Sequence, residues 1–511
     1  MRTSQAMNST MWSLVERAAS ERPGEILLVD DHGRSLSAAD LRDEALAVAS
    51  GLVELGIGPG DVVSWQLPTV LEAPVLLAAC ARLGVVQNPL IPLLREREIR
   101  HIGRQIRTRL LVVPVAWRGF AHAEMGRALG LEVLALELEG PVPRELRLPR
   151  GRAPLPPPPE DANDCRWIYY SSGTTAEPKG ARHTDTTLIA SSNGMVDALG
   201  VKTGDLYPIA WPFTHIGGIA MFAAVLRTGG TLALFDAFDP VATPVRMAAH
   251  RPTILGSATP FFRAYCAAQR RHGPAPLYPN VRAAVSGGAP TPLEVNREMI
   301  ETSGVCGIAG AWGLTEFPIA TSESPEDPAP GTTVGRPVAG VRVRVVDGEL
   351  RLKGPQCFLG YVDAALDAAA FDGEGWFRTG DLGRIDEAGR IHVEGRQKDV
   401  ILRNAENVSA GEVEEVLLRH PSVADVAVVG IPDPRTGERV VAVVVARADA
   451  TVELSDIVAH CTAEGLARYK LPEQLELAER LPRNSMGKIL KAEIRGALIG
   501  SRSHASAGGN A

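Results

Sequence analysis

The chain has 511 residues, of which 45% are hydrophobic and 22% are charged, so it can bury more than one large core. Its formal net charge of −7 argues against a nucleic-acid-binding surface, and it contains no long basic block. The cysteines are scattered without a CxxC pair, which is typical of reduced thiols and not of a zinc site or a disulfide framework.

The most apolar run of the chain is residues 73–94. Arg82, Pro89 and Pro92 interrupt it before it reaches the length of a membrane span. The run therefore predicts a core helix followed by a strand. The N-terminal residues contain no apolar stretch of signal-peptide length, and we expect a cytoplasmic protein without a membrane span.

Apolar, β-branched runs alternate with helical patterns before residue 300. Residues 37–56, for example, carry apolar side chains at helical spacing and end at a glycine. This alternation predicts an α/β fold in which parallel-type sheets are covered by helices. The predicted buried strands lie in DVVSWQLP, RLLVVPVA, LEVLALEL, GTLALFDAF and VRAAVSGG.

The remaining segments differ in character. Residues 152–164 are proline-rich and predict a connector that is neither helix nor central strand. After residue 330, alternating patterns with turn signals predict a smaller antiparallel β unit. Residues 410–446 then predict helix, strand, turn and strand, as in a compact α+β module, and the small polar residues from 499 onwards predict a disordered tail.

The segment CRWIYYSSGTTAEPKGARHT, residues 165–184, places many hydroxyl and backbone N–H groups directly after a predicted strand. Such a loop is a natural cradle for phosphate oxygens, and Lys179 would add a point charge for a polyphosphate. Taken alone, the loop is equally compatible with a flexible Ser/Thr/Gly turn. It is not a Walker A motif, because GxxxxGK[ST] is absent.

The loop YYSSGTTAEPKGA resembles the phosphate-binding loop of the adenylate-forming superfamily, which includes acyl-CoA synthetases, peptide-synthetase adenylation domains and luciferases. By the order of its motifs across residues 165–491, the chain is identified as a member of this superfamily, most similar to bacterial acyl-CoA ligases. The further motifs are WPFTHIGG from Trp211, VSGGAP from Val285, AWGLTE from Ala311, WFRTGDLG from Trp376, GRIHVEGRQKDVI from Gly389 and LPRNSMGKILK from Leu481.

The resemblance implies a domain organisation and a reaction. Residues 1–395 would form a large N-terminal domain, with a β subdomain, that holds the acyl and nucleotide pockets. Residues 396–498 would form a small mobile lid domain, followed by the tail at 499–511. A carboxylate would attack the α-phosphate of ATP, with Mg²⁺, to give an acyl-adenylate, and the thiol of CoA would then displace AMP.

The resemblance assigns the β- and γ-phosphates to the loop and the adenine to a glycine-rich turn. The phosphate residues would be Ser171, Ser172, Gly173, Thr174, Thr175 and Lys179. The adenine would lie between Trp312, where the family usually has tyrosine, and a wall formed by Gly287, Gly288, Ala289 and Pro290.

The catalytic roles are implied in the same way. Thr315 would touch the α-phosphate, and Glu316 would hold Mg²⁺ through oxygen. Asp381 would accept both ribose hydroxyls, assisted by Arg396. Lys488 would reach the carboxylate and the α-phosphate during adenylation. Without the motif series, an aspartate in TGDLG is an ordinary turn-former and Lys488 an ordinary surface lysine.

Lys398 lies where the family places its hinge, two residues after Arg396. Rotation about this hinge would withdraw Lys488 after adenylation and bring another face of the lid over the site. That face would form the tunnel for CoA, bordered by Asn404 and Ala405. Relatives that use CoA usually have glycines at these two positions, then an aromatic residue and a proline before the helix, so these changes put one half-reaction in doubt.

The acyl pocket is implied by the segment around WPFTHIGG. Phe213, His215, Gly217 and Gly218 would line it, and the small residues would leave room for a bulky or alicyclic acid. His215 would either gate this pocket or be an ordinary structural histidine.

The sequence therefore favours an ATP-dependent acyl-CoA ligase of a large hydrophobic carboxylic acid. An alternative is a partial enzyme that only makes the adenylate for a carrier protein, or only makes the thioester from an adenylate supplied by a partner enzyme. A luciferase-like oxidase and an inactive nucleotide-binding protein are further alternatives. The presence of Glu316, Asp381 and Lys488 argues against inactivity.

Overall fold

The computed structural model describes residues 9–140, 145–171, 178–288, 291–303, 307–327, 330–404, 406–448, 450–484 and 487–507, and only the backbone of 500–507. Some predicted site residues therefore lie outside the described ranges: Ser172, Gly173, Thr174, Thr175, Ala289, Pro290 and Ala405.

The helices follow the predicted start and stop signals. In chain order they are α1 (Met11–Glu21), α2 (Ala38–Glu54), α3 (Glu72–Leu83), α4 (Glu96–Gln105), α5 (His122–Ala128), α6 (Asp185–Leu199), α7 (Ile216–Thr228), α8 (Thr243–Ala249), α9 (Thr259–His272), α10 (Leu293–Ser303), α11 (Asp367–Ala370), α12 (Ala410–Leu418), α13 (Leu454–Ala463) and α14 (Lys491–Ala507). The Ser37 hydroxyl caps α2 by accepting a 3.1 Å hydrogen bond from the Asp40 N–H. Helix α3 ends at Gly84, whose φ of 69° few other residues adopt readily.

The strands include every strand that the sequence predicts as buried, although the one in LEVLALEL is an edge strand and is only partly buried. In chain order they are β1 (Ile26–Asp30), β2 (Ser35–Ser37), β3 (Val62–Trp65), β4 (Val86–Pro89), β5 (Leu110–Pro114), β6 (Val133–Leu136), β7 (Cys165–Ser171), β8 (Lys179–Thr184), β9 (Leu206–Ile209), β10 (Thr231–Leu234), β11 (Ile254–Ser257), β12 (Ala283–Ser286), β13 (Ile308–Leu314), β14 (Phe317–Ser322), β15 (Arg336–Pro337), β16 (Arg342–Val346), β17 (Glu349–Lys353), β18 (Phe377–Ile385), β19 (Ile391–Arg396), β20 (Val400–Arg403), β21 (Glu406–Ser409), β22 (Val423–Asp433), β23 (Gly437–Ala446) and β24 (Gln474–Leu477).

Three sheets with parallel strands form the large N-terminal domain. Their strand orders are β6-β5-β3-β4-β7-β8, β2-β1-β10-β9 and β11-β12-β13-β14-β15. The neighbours β3–β4, β1–β10 and β11–β12 are parallel, whereas β7–β8 and β13–β14 are antiparallel. Apolar side chains of the strands and helices share one large core that extends from Met11 to Ile308. The predicted parallel sheets covered by helices are confirmed.

Two further sheets lie later in the chain. The sheet β16-β17-β18-β19 is antiparallel, as predicted for the β subdomain. The sheet β21-β20-β23-β22, with β24 beside β23, packs against α12 and α13 around a separate apolar core that includes Val413, Val428 and Ile457. The smaller C-terminal α+β domain is therefore confirmed, including the order helix, strand, turn, strand.

Helix α14 is the last described element, and it is anchored by the buried Ile494. Its backbone is described to Ala507, residues 508–511 lie outside the described ranges, and the disordered tail stays a prediction. Within the described part of the chain, no helix combines the length and the apolarity that a membrane crossing requires.

Candidate active site

A buried carboxylate lies at the centre of the predicted nucleotide site. Asp381 on β18 is opposite Arg396 on β19 in the register of this hairpin, and it is only 2% exposed. Arg396 Nε lies 2.7 Å from Asp381 Oδ1. The indole Nε1–H of Trp312, on β13, donates to Oδ2 at 2.8 Å. The structure thus brings together three residues that the motifs selected independently.

The carboxylate of Asp381 retains an acceptor for a ligand. Burial raises the pKa of Asp381, while Arg396, Trp312 and Lys488 oppose the rise. The short contact with Arg396 lacks hydrogen-bond geometry, so Oδ1 has no hydrogen-bond partner in the part of the chain that the structure describes. A buried acceptor of this kind is expected to find a donor, and a sugar hydroxyl is a suitable one.

Lys488 approaches the same carboxylate from the C-terminal domain. Burial, together with the charges of Arg396 and Lys398, lowers its pKa to about 8, and Asp381 opposes the shift. The Lys488 ammonium is therefore within electrostatic range of this group of charges. The arrangement can stabilise negative charge that develops on a bound phosphate.

The backbone around Lys488 is held in a tight turn against the N-terminal domain. The Lys488 N–H donates to Asn484 Oδ1 at 2.9 Å. A Cβ on Gly487, whose φ is 77°, would lie 2.9 Å from Pro260 Cγ at the start of α9. A glycine is therefore required at this position for both the turn and the close approach.

Lys398 follows β19 directly, in a 3₁₀ turn spanning Gln397–Asp399. Partial burial lowers its pKa, and the charges of Arg396 and Lys179 lower it further. The predicted hinge lysine therefore senses the charge of the predicted phosphate lysine. Mutual repulsion of this kind is relieved when a polyanion binds near both cations.

The hairpin of β7 and β8 presents the predicted phosphate loop. Ser171 pairs with Lys179 as the last pair of the ladder, so the strands bring both ends of the loop together. Lys179 Nζ lies 5.6 Å from the ring centroid of Tyr361. Residues 172–177 lie outside the described part of the chain, and their phosphate contacts stay a prediction.

Glu316 lies in the turn between β13 and β14 and is 8% exposed. Its Oε1 accepts a 2.8 Å hydrogen bond from the Tyr361 hydroxyl. Among the described residues, no group of three or more His, Cys, Asp or Glu side chains forms a metal cage. One buried carboxylate nevertheless fits Mg²⁺, because this ion commonly binds one or two carboxylates together with phosphate oxygens and water.

His183 and Tyr361 were not selected by the sequence motifs. His183 is fully buried, and its Nε2 lies 2.8 Å from the Thr315 carbonyl oxygen. Burial lowers the pKa of His183 to about 4, so the ring is neutral and its Nε2–H donates to Thr315. The contact fixes the backbone directly before Glu316. The partners are 132 residues apart in the chain, so no local pattern could have paired them.

His215 lies at the start of the predicted acyl segment. It caps α7, and its Nδ1 accepts a 3.1 Å hydrogen bond from the Gly217 N–H. Burial lowers its pKa to about 4, so the ring is neutral with its proton on Nε2. A Cβ on Gly218 would lie 2.2 Å from the Phe213 carbonyl oxygen, so only glycine fits at this position. Phe213 itself is fully buried and lies near Trp65.

The predicted adenine turn follows β12. A Cβ on Gly287 would lie 3.8 Å from its nearest neighbour, the Ala311 carbonyl oxygen, and a Cβ on Gly288 would meet nothing within 4 Å. The φ of Gly288 is 82°, which favours glycine at the turn. The open space beside Gly287 and Gly288 suits a flat ligand.

Asn404 and Ser409 lie in the segment that contains the predicted border of the CoA tunnel. Asn404 adopts a φ of 50°, the left-handed conformation that asparagine tolerates. Ser409 caps α12, and its hydroxyl donates to the Glu394 carbonyl oxygen at 2.9 Å. Ala405 lies outside the described residues, and its effect on a tunnel stays a prediction.

Comparison with known proteins gives consistent results along the chain. A family model described as AMP-binding enzyme matches residues 15–362, and one described as AMP-binding enzyme C-terminal domain matches residues 412–488. A medium-chain fatty-acid–CoA ligase of Escherichia coli (strain K12) is 31% identical, over 94% of this chain and 89% of that protein. A sulfoacetate–CoA ligase of Cupriavidus necator is 32% identical, over 96% and 99%.

The fold is also similar to solved structures. The crystal structure of ATP-bound MatB from Rhodopseudomonas palustris superposes with a TM-score of 0.83 at 27% identity. The superposition covers 96% of this chain and 99% of that one.

Proposed function

The chain belongs to the AMP-binding enzyme family and is an acyl-CoA ligase that uses ATP and CoA, and we propose that it activates a bulky hydrophobic carboxylic acid with the help of Mg²⁺. The observation that supports the two-step chemistry is that the partly buried Lys488 senses the charges of Asp381 and Arg396, which themselves lie 2.7 Å apart. A lysine within reach of this pair could act in adenylation.

In the first step, a carboxylate oxygen of the acid attacks the α-phosphorus of ATP, and the bond to pyrophosphate breaks. Lys488 would hold the carboxylate and the α-phosphate, and Thr315, whose backbone His183 fixes, would contact the same phosphate. Asp381 would accept the ribose hydroxyls through Oδ1. Mg²⁺ on Glu316 would neutralise phosphate charge when bound.

In the second step, the sulfur of CoA attacks the acyl carbon, the bond to AMP breaks, and the thiol proton leaves. For this step Lys488 would move away by rotation near Lys398, between domains that we place at residues 1–395 and 396–498. The left-handed Asn404 supports an intact loop on the other face of the lid.

The choice of a hydrophobic acid rests on the residues around α7. The first turn of the helix contains Gly217 and Gly218, and its segment IGGIAMFAAVL is apolar throughout. His215 is neutral and supplies no charge for a second acidic group on the substrate. Two relatives with nearly equal sequence identity to this chain are named for different acids, a fatty acid and sulfoacetate. Overall similarity therefore does not specify the acid, and the local residues of the acyl pocket must determine it.

A two-part assay across a panel of carboxylic acids tests the proposal. ATP–pyrophosphate exchange measures adenylation, and thioester formation from supplied acyl-adenylate measures the second step. We expect both activities with bulky apolar acids and neither with short dicarboxylic or sulfonated acids. Exchange without transfer to CoA would favour an adenylating enzyme that serves a carrier protein. Transfer without exchange would favour an enzyme that depends on a partner for its adenylate.

A further inference from the structure

A row of buried polar side chains extends from His215 towards the turn at Gly287. The rings of Trp211 and His215 meet edge to face with centroids 6.0 Å apart. Tyr207, on β9, lies beyond Trp211, and its hydroxyl packs so closely on Gly256 that a Cβ there would be 1.6 Å from Oη. The next residue, Ser257, accepts a 3.1 Å hydrogen bond from the Gly287 N–H at its carbonyl.

Two donors in this row have no hydrogen-bond partner in the part of the chain that the structure describes. They are Trp211 Nε1, in a residue that is 6% exposed, and Ser257 Oγ, in a residue that is 8% exposed. Burial raises the pKa of Tyr207, and the neighbouring Trp211 N–H opposes the rise, although this contact lacks hydrogen-bond geometry. Buried donors without partners are uncommon in folded proteins and need an explanation.

The backbone at these positions is fixed, and at Ser257 it is strained. Ser257 has a φ of 131°, a region that only glycine adopts readily. The Thr69 hydroxyl donates to the Trp211 carbonyl at 2.7 Å and accepts from the Phe213 N–H at 3.0 Å, which holds the intervening loop. Strain retained at the junction of the predicted acyl and nucleotide pockets indicates a functional position.

We propose that Trp211, Tyr207 and Ser257 form a subsite that recognises an uncharged oxygen, a ketone or hydroxyl, on the acid substrate. The inference rests on the proposed function and specifies its substrate class further. Tryptophan offers a donor only, whereas serine and tyrosine donate or accept, so the set suits an oxygen acceptor. None of the three side chains carries a charge, and His215 is neutral, so a second carboxylate or a sulfonate would be buried without a counter-charge.

The test compares acids that differ in one oxygen. Ring isomers of oxocyclohexyl-propanoate and the parent cyclohexylpropanoate are assayed by ATP–pyrophosphate exchange. We expect at least one oxo acid to have a kcat/KM about tenfold or more above that of the parent acid, because the buried donors are left unpaired without the oxygen. An enzyme that prefers the plain ring over every oxo isomer contradicts the subsite.

Variants then connect the preference to these residues. Trp211→Phe and Ser257→Gly should each reduce the ratio of kcat/KM for the oxo acid to kcat/KM for the plain acid. Trp12→Phe is the matched control, because Trp12 Nε1 is also buried without a partner but belongs to α1. Ser257→Ala removes the same hydroxyl without relieving the positive φ, so the two Ser257 variants should lose the preference equally and differ in melting temperature.

The outcomes separate the subsite from the proposed function. A preference that persists in both Trp211→Phe and Ser257→Gly overturns the subsite, while activity on the plain ring acid leaves the proposed function standing. If the folded parent enzyme activates neither the oxo ring acids nor the plain ring acid, the bulky-acid proposal fails, and the subsite fails with it.

Discussion

The indole Nε1–H of Trp312 donates a 2.8 Å hydrogen bond to Oδ2 of Asp381. Tryptophan has one donor and no acceptor, so the contact holds the carboxylate in one orientation. The other oxygen lies 2.7 Å from Arg396 Nε and accepts no hydrogen bond within the described part of the chain. One aromatic residue therefore connects the predicted wall of the adenine site to the predicted ribose contact.

Replacing Trp312 with phenylalanine should weaken nucleotide binding. Trp312→Phe keeps an aromatic face but leaves Oδ2 of the buried Asp381 without its donor, a loss of about 1.5–3 kcal/mol for a hydrogen bond to a charged group. We expect the Kd for ATP, measured by calorimetry, to rise about tenfold to hundredfold. Trp12→Phe in α1 is the control and should bind ATP as the parent does. Unchanged affinity in Trp312→Phe would show that the indole contact does not support the ribose site.

The predicted and the unpredicted contacts of this site differ in how far apart the two contacting residues lie along the chain. Asp381 and Arg396 were assigned to the same ribose by the resemblance, and the structure pairs them across one hairpin. His183 and Tyr361 were missed because their partners, Thr315 and Glu316, lie 132 and 45 residues away, and tertiary packing alone unites them.

The position of Lys488 depends on how two domains pack, which no local pattern specifies. The motif predicted its chemistry, but the contact of its turn with Pro260 is visible only in the structure.

Removing the charge of Glu316 should impair adenylation specifically. Glu316→Gln retains the size and the hydrogen bond from the Tyr361 hydroxyl, but it weakens a Mg²⁺ ligand. We expect ATP–pyrophosphate exchange to fall on the order of 10²-fold, and excess Mg²⁺ to restore part of it. Glu326→Gln, at an exposed glutamate nearby, is the control. Exchange at the parental rate in Glu316→Gln would remove this residue from the metal site.

The pKa of Lys488 predicts a pH dependence. Burial lowers this pKa to about 8, so the ammonium is present below that value and is lost as pH rises through it. The kcat/KM for ATP in the exchange reaction reports on the free enzyme and should therefore decline above about pH 8. Arginine keeps its proton throughout this range, so in Lys488→Arg the remaining activity should no longer decline there. An identical decline in the parent and in Lys488→Arg would assign the titration to another group.

Loss of the Lys488 side chain should separate the two half-reactions. Lys488→Ala should reduce ATP–pyrophosphate exchange by on the order of 10²-fold or more, because the cation beside Asp381 and Arg396 is removed. Thioester formation from supplied acyl-adenylate should stay near the parental rate, since the lysine would be rotated away in that step. Equal loss in both assays would contradict a lysine that acts in adenylation alone.

Proline at the predicted hinge should preserve the lid orientation for adenylation and block the orientation for thioester formation. Lys398 lies in the 3₁₀ turn Gln397–Asp399, and 3₁₀ backbone has φ values near the −65° that proline imposes. The present lid, with Lys488 beside Asp381, should therefore be compatible with Lys398→Pro. Pyrophosphate exchange should stay within several-fold of the parent, whereas thioester formation from supplied adenylate should collapse because the hinge cannot rotate.

Lys398→Ala distinguishes the backbone effect from the loss of charge. It removes the cation near Arg396 and Lys179 but leaves the hinge free to rotate, so thioester formation should persist. If exchange falls in both variants, the charge of Lys398 matters for phosphate binding, and the additional loss of thioester formation in Lys398→Pro still measures the hinge. Both assays are run on one preparation whose melting temperature matches the parent. A proline variant that affects the two steps equally would place the hinge elsewhere, because only a restricted rotation separates them.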